Sequence, residues 1–161
     1  KSQQPIELFG LTFPNRIGLA AGYDKDASGW PGLACLGFGH IEVGTITLQP
    51  QQGNPRPRIF RLPADRALIN RMGFPGKGSR AALENIHSAK KPEGLILGIN
   101  VGKNKDTPLE EAVRDYLQLM DMFFESADYL AVNISSPNTV GLRQLQNKQH
   151  LEGLLLSLIH I

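Results

Sequence analysis

Every apolar, β-branched run in this chain stops at a cluster of polar side chains, and helix-like segments fill the intervals between the runs. Four such runs read as strands: Arg16–Ala21, His40–Thr47, Leu95–Val101 and Tyr129–Asn133. Their near-continuous apolar character fits strands buried on both faces, which means a parallel sheet covered by helices. The intervals Asp26–Leu36, Gly76–Ala89 and Thr107–Ser126 have helical spacing, with Asp26 placed to cap the first. In the third, Thr107 and Glu110 fit a capping box, Pro108 fits the first helical position, and Leu109, Val113, Tyr116, Leu117, Met120 and Phe124 form the apolar stripe. A last helix is expected from near Asn147. Ile6–Leu8 and Leu11–Phe13 flank Gly10 as a short hairpin, and Arg58–Leu62 with Ala67–Asn70 reads as a strand pair beyond the long loop Gln49–Pro57. The class is therefore α/β. Two architectures compete: a (β/α)8 barrel truncated to about its first four βα units, with an N-terminal β-hairpin, and a complete flavodoxin-like sheet. A whole barrel takes about 250 residues, so the length of 161 residues favours the second. The polar cluster at each strand end favours the first, because the carboxyl rim of such strands is where binding groups collect.

Composition removes several function classes. Seventeen basic residues against fifteen acidic ones leave a net charge of +2, so no electrostatic field supports nucleic-acid binding. The single cysteine, Cys35, excludes an internal disulfide and a Cys-rich metal site; its apolar neighbours Leu33, Ala34 and Leu36 predict a buried structural thiol in a reducing compartment. His40, His87, His150 and His160 lack the spacing of a helical metal site, and no metal is expected. No apolar run reaches the roughly 18 residues that span a bilayer.

The segment Asn133-Ile134-Ser135-Ser136-Pro137-Asn138-Thr139 sets two amides and three hydroxyls on one turn. Pro137 biases Ser136 toward an extended conformation, which suits a proton acceptor held between hydrogen-bonding clamps; a polar turn with capping residues is the plainer account. In Ala20-Ala21-Gly22-Tyr23-Asp24-Lys25-Asp26, small residues let a flat ring approach backbone and Lys25 can pair with an anion, or the segment is a capped helix start with a solvated lysine. Gly44-Thr45 offers a hydroxyl beside a glycine, although Thr packed in a core is the commoner use. Asn70-Arg71-Met72-Gly73-Phe74 joins an amide, a cation, a thioether and an aromatic ring. Gly98-Ile99-Asn100-Val101-Gly102-Lys103-Asn104-Lys105 is one residue short of a P-loop and has Asn104 in place of its metal-binding hydroxyl.

In this order the segments resemble the dihydroorotate dehydrogenases, flavin enzymes that oxidise dihydroorotate to orotate in pyrimidine biosynthesis. The resemblance runs from about Ile6 to about Leu155, and serine at position 136 resembles the quinone-linked class 2 branch, whereas class 1 enzymes typically carry cysteine there. It implies an FMN cofactor contacted by Ala21, Gly22, Thr45, Asn100 and Asn133, together with Tyr23, Asp24 and Lys25 of the first strand end. It implies orotate binding by Lys25, Asn70, Arg71, Met72, Gly73, Phe74, Asn133 and Asn138. Ser136 takes the place of the general base, and Thr139 that of a residue linking it to water. A peripheral position on the cytoplasmic side of the cell membrane, with quinone as acceptor, is implied as well. The alternatives are a class 1 or related flavin barrel, and a non-catalytic binding module.

Some of the family pattern has no counterpart in these residues. Missing are the N-terminal helical pair that meets membrane and quinone, and the later lysine strand, Asn-Thr pair and phosphate-binding glycine loops. The expectation is a partial flavin-binding barrel over residues 1–161 that is inactive alone. Leu156-Ser157-Leu158-Ile159-His160-Ile161 is what CTG-TCT-CTT-ATA-CAC-ATC encodes, the end of a common transposon-based sequencing adapter. The reading frame is expected to leave genuine coding sequence near Leu155; the alternative is an ordinary amphipathic helix that continues the last βα unit.

Overall fold

The computed structural model describes residues 4–159. Strands β1 (Ile6–Leu8) and β2 (Leu11–Phe13) form the expected antiparallel hairpin. Strands β3 (Gly18–Leu19), β4 (His40–Ile46), β7 (Ile96–Val101) and β8 (Tyr129–Val132) form one parallel sheet in the order β3-β4-β7-β8. Between β4 and β7, strands β5 (Ile59–Leu62) and β6 (Ala67–Asn70) form a separate antiparallel pair. Helices α1 (Trp30–Ala34), α2 (Ser79–His87), α3 (Ala112–Phe123) and α4 (Lys148–Leu158) complete the alternation.

The strand order decides between the two architectures. A doubly wound sheet reverses direction at a switch point; here each parallel strand is added on the same side as the last, the order of a barrel wall. The two sheet faces also differ in kind. Side chains alternate along a strand, and pairing sets Ile41 beside Leu97 and Val43 beside Ile99. These four are buried in one cluster with Trp30, Ala82, Ile86, Tyr116, Leu119 and Phe123 from the helices. Each such aliphatic side chain contributes about 1.5–3 kcal/mol by leaving water. The opposite face carries His40, Glu42, Asn100 and Tyr129. Glycines clear space for its rings: a β-carbon on Gly18 would lie 1.9 Å from the His40 ring, and one on Gly98 would lie 2.2 Å from that of Tyr129.

Several local expectations are corrected. The first strand shrinks from Arg16–Ala21 to Gly18–Leu19, because it pairs on one side only, with β4. Helix α1 starts at Trp30 rather than Asp26; Asp24 accepts from the amides of Ser28 and Gly29, while Asp26 accepts from that of Lys77. Cys35 is exposed, since it lies at the end of this five-residue helix. Helix α3 begins at Ala112 after a 3-10 turn over Leu109–Glu111, and no capping box forms. The Thr107 hydroxyl instead donates to Asp115, 2.7 Å away, and Asp115 also accepts from the amide of Asn104 at 3.0 Å. This tether turns the helix so that Ala112, Asp115, Tyr116, Leu119 and Phe123 are inward, while Phe124 is exposed.

Asp115 thus closes the loop that leaves β7. Replacing it with alanine strands a buried amide and is expected to cost about 2–3 kcal/mol, measured as a lower urea midpoint; loss of less than about 0.5 kcal/mol would show that the loop holds itself.

Residues 156–158 continue α4, whose first turn is capped by Asn147 accepting from the His150 amide. His160 and Ile161, part of the segment attributed to adapter sequence, lie outside the described residues. Among the described residues no helix is long and apolar enough to cross a membrane, and no group of His, Cys, Asp and Glu is placed to hold a metal ion.

Candidate active site at the carboxyl rim of the sheet

Parallel register brings the strand ends to one level. Gly44 pairs with Asn100, Asn100 with Ala131, and Val101 with Val132. Thr45, Asn100 and Asn133, far apart in sequence, therefore meet. The Thr45 hydroxyl donates to Asn100 Oδ1 at 2.6 Å, and Asn133 Nδ2 donates to Thr45 Oγ1 at 2.9 Å and to Asn100 Oδ1 at 3.3 Å. The Tyr116 hydroxyl reaches from α3 to the Asn133 carbonyl at 2.9 Å. Burial holds that phenol well above its ordinary pKa, so it stays a donor.

The first strand end closes against this group. The Gly22 amide donates to the Gly44 carbonyl at 2.7 Å, and the Gly44 amide to the Asp24 carbonyl at 2.8 Å. A β-carbon on Gly44, where φ is +110°, would sit 2.4 Å from the Asn100 carbonyl oxygen. Lys25 folds back with Nζ 2.7 Å from the Gly22 carbonyl. Burial, aided by the charge of Arg58, lowers its pKa from the usual lysine value, with Asp26 opposing. Tyr23 and Asp24 are not brought to the amide group: Tyr23 is exposed, and the Asp24 carboxylate is occupied by Ser28 and Gly29.

The loop after β6 and the turn after β8 come together. Asn138 Nδ2 donates to the Asn70 carbonyl and to its Oδ1 at 3.4 and 3.3 Å, while Asn54 Nδ2 donates to the Asn138 carbonyl at 3.0 Å. Gly73 and Met72 offer their carbonyls to the Gln51 side chain and the Asn54 amide. Gly102 lets the Phe74 ring approach Thr45, since a β-carbon there would lie 2.6 Å from Thr45 Cγ2 and 3.2 Å from the Phe74 ring. Arg71 is turned outward, holding the Pro57 carbonyl through Nε and Nη2 and lying 5.9 Å over the Phe60 ring. On the turn itself, Ser136 Oγ accepts from the Asn138 amide at 3.2 Å. Thr139 Oγ1 is buried and has no hydrogen-bond partner among the described residues.

Glu42, Gln51, Asn54, Tyr116 and Tyr129 had not been singled out from the sequence as parts of the site. Gln51 joins two elements: its Oε1 accepts from Asn104 Nδ2 while its Nε2 donates to Gly73. The Gln-Pro-Gly-rich loop was the only signal for it. A cavity of about 600 Å³ lies at the opposite, amino ends of the strands, between the hairpin and His40 and Tyr129. It is mostly apolar, and Thr45, Asn100 and Asn133 are not among its lining residues.

The arrangement can do two things chemically. The Gly22–Gly44 backbone and the Thr45, Asn100 and Asn133 side chains make a glycine wall with a polar edge, suited to a flat heteroaromatic ring. The Ser136 hydroxyl lies on the same proline-stiffened turn as the amides of Asn133 and Asn138, a set of groups suited to proton transfer from a small polar molecule.

The dihydroorotate dehydrogenase family profile matches residues 5–160. A dihydroorotate dehydrogenase (quinone) from Stenotrophomonas maltophilia is 55% identical over 154 residues, covering 96% of this chain and 44% of that protein. One from Aromatoleum aromaticum is 57% identical over 151 residues, covering 94% and 43%. The DHODH from Eimeria tenella, solved in complex with ferulenol, superposes with a TM-score of 0.90 at 41% identity, covering 98% of this chain and 43% of that one. The chain thus spans under half the length of these relatives, and it belongs to the dihydroorotate dehydrogenase family.

Proposed function

We propose that the full-length form of this protein oxidises dihydroorotate to orotate with FMN as cofactor and quinone as acceptor. The observation that carries this reading is the convergence of Thr45, Asn100 and Asn133 beside the Ser136 turn. Bound FMN supplies a two-electron acceptor for the hydride leaving C6 of the substrate. The residues of this chain do the rest. Ala21 and Gly22 give the ring a flat approach, with Thr45, Asn100, Asn133 and Lys25 as polar contacts. Asn70, Asn133 and Asn138 hold the substrate's carbonyl and ring N–H groups, and the backbone from Met72 to Phe74 closes over it. Ser136 Oγ takes the proton from C5 and passes it toward solvent through Thr139, whose hydroxyl is buried and free to bond a water. A serine is a weak base, so the amides around the substrate must stabilise the charge that develops as the proton leaves. Quinone as acceptor implies a peripheral place at the cytoplasmic face of the cell membrane.

The test is steady-state oxidation of dihydroorotate by the full-length protein with decylubiquinone, fumarate or NAD as acceptor. Quinone reduction far faster than the other two is expected; preference for fumarate or NAD would move the protein to the soluble branch. Resequencing the locus across the Leu155 codon tests the proposal that residues 156–161 are adapter-encoded.

A further inference from the structure

Beneath the amide cluster, on the inner face of the sheet, lies Glu42. Its Oε1 accepts from Asn100 Nδ2 at 2.8 Å and its Oε2 from the Tyr129 hydroxyl at 2.9 Å. A carboxylate only accepts, so the Asn100 atom that faces it must be the NH2 group. Oδ1 is then forced to point up toward the rim, where it accepts from Thr45 and Asn133. The Thr45 hydroxyl proton is in turn committed to Asn100, which leaves its lone pairs to accept from Asn133. Asn133 Oδ1 is left to take the amide of Ser135 at 3.2 Å. Donors thus run in one sense, from Asn133 through Thr45 and Asn100 to Glu42.

We propose that Glu42 is a positioning residue that fixes the donor and acceptor sense of the Thr45–Asn100–Asn133 cluster, and with it the cluster's affinity for FMN. Tyr129 secures the second carboxylate oxygen. Burial, together with the neighbouring carboxylate, holds its phenol well above the ordinary range, so it remains a donor. Gly98 admits its ring, having no β-carbon to block it. The inference rests on FMN being the cofactor, and the experiment separates the two ideas.

Full-length protein is stripped of flavin, and the side-chain 15N–1H pair of Asn100 is followed by NMR before and during titration with FMN. In the wild type, one Asn100 N–H is expected well downfield, the mark of a charge-assisted bond. Glu42→Gln can present either an oxygen or an NH2 group, so the downfield signal should collapse and the FMN dissociation constant should rise about tenfold. Tyr129→Phe should shift the same signal partway and weaken FMN about threefold. An unchanged Asn100 signal in Glu42→Gln, or FMN affinity within twofold of wild type, overturns the proposal. If Glu42→Gln does not fold, Tyr129→Phe decides: wild-type values for both readouts overturn it as well. Failure of the wild type to bind FMN would defeat the cofactor reading and the affinity claim, while the Asn100 signal still tests the positioning role.

Discussion

Ser136→Ala in the full-length protein is expected to lower turnover of dihydroorotate by about 10²–10⁴-fold, the range lost when a positioned proton acceptor is removed. The affinity for orotate should change little, because that binding is assigned to the amides of Asn70, Asn133 and Asn138. Ser136→Cys keeps a proton acceptor at the same place and should recover part of the loss. The measurement is single-turnover bleaching of the flavin absorbance under anaerobic conditions, which isolates the substrate half of the reaction. Alanine within tenfold of wild type would remove Ser136 from the chemistry and leave it a turn residue, held by its bond to the Asn138 amide.

Gly44→Ala is expected to destabilise the fold by about 3 kcal/mol or more. Two costs combine: an L-residue held at the φ of +110° recorded here, and a β-carbon pressed to 2.4 Å from the Asn100 carbonyl oxygen. The colliding atom is backbone in the neighbouring strand, so relief requires β4 and β7 to part at the level of the amide cluster. A denaturant midpoint gives the loss directly. A cost below about 1 kcal/mol would mean that the two strands separate there easily, and that the cluster is softer than its short bonds indicate.

The contrast between Asn100 and Glu42 shows what a reader of the sequence can and cannot see. Thr45, Asn100 and Asn133 were legible because each stands where an apolar run gives way to polar residues, and parallel strands carry such positions to a common rim. Glu42 sits in the middle of the run from His40 to Thr47 and looks like an ordinary polar residue of an alternating strand. Its partner Tyr129 lies 87 positions away, and only the register through β7 brings them together. The start of α3 was misread for a related reason. Thr107 and Glu110 satisfy a local capping pattern, but the Thr107 hydroxyl found a stronger acceptor in buried Asp115, eight residues on. Local pattern competes poorly with a buried carboxylate that needs donors. Cys35 failed through length: its apolar neighbours would bury it on a long helix, and α1 ends just before it. The sheet itself was recovered from the sequence apart from the length of its first strand, since its strands are rich in β-branched and apolar residues even where His40, Glu42 and Asn100 interrupt them.

The four-strand order leaves β8 bonded to β7 alone among the described residues. The turn beyond Val132, with Asn133, Ser136 and Thr139, is therefore carried like a beam held on one side by its strand and propped at Asn138 by Asn70 and Asn54. It is fixed from the β7 side and braced by the Tyr116 hydroxyl from behind. The opposite rail of backbone amides and carbonyls on β8 is unclaimed by any described strand. Whatever pairs along that rail will stiffen the beam, and the position of the proposed base will sharpen with it. If Ser136 is the base, the accuracy of its proton transfer is in this sense set along a strand edge remote from the rim residues.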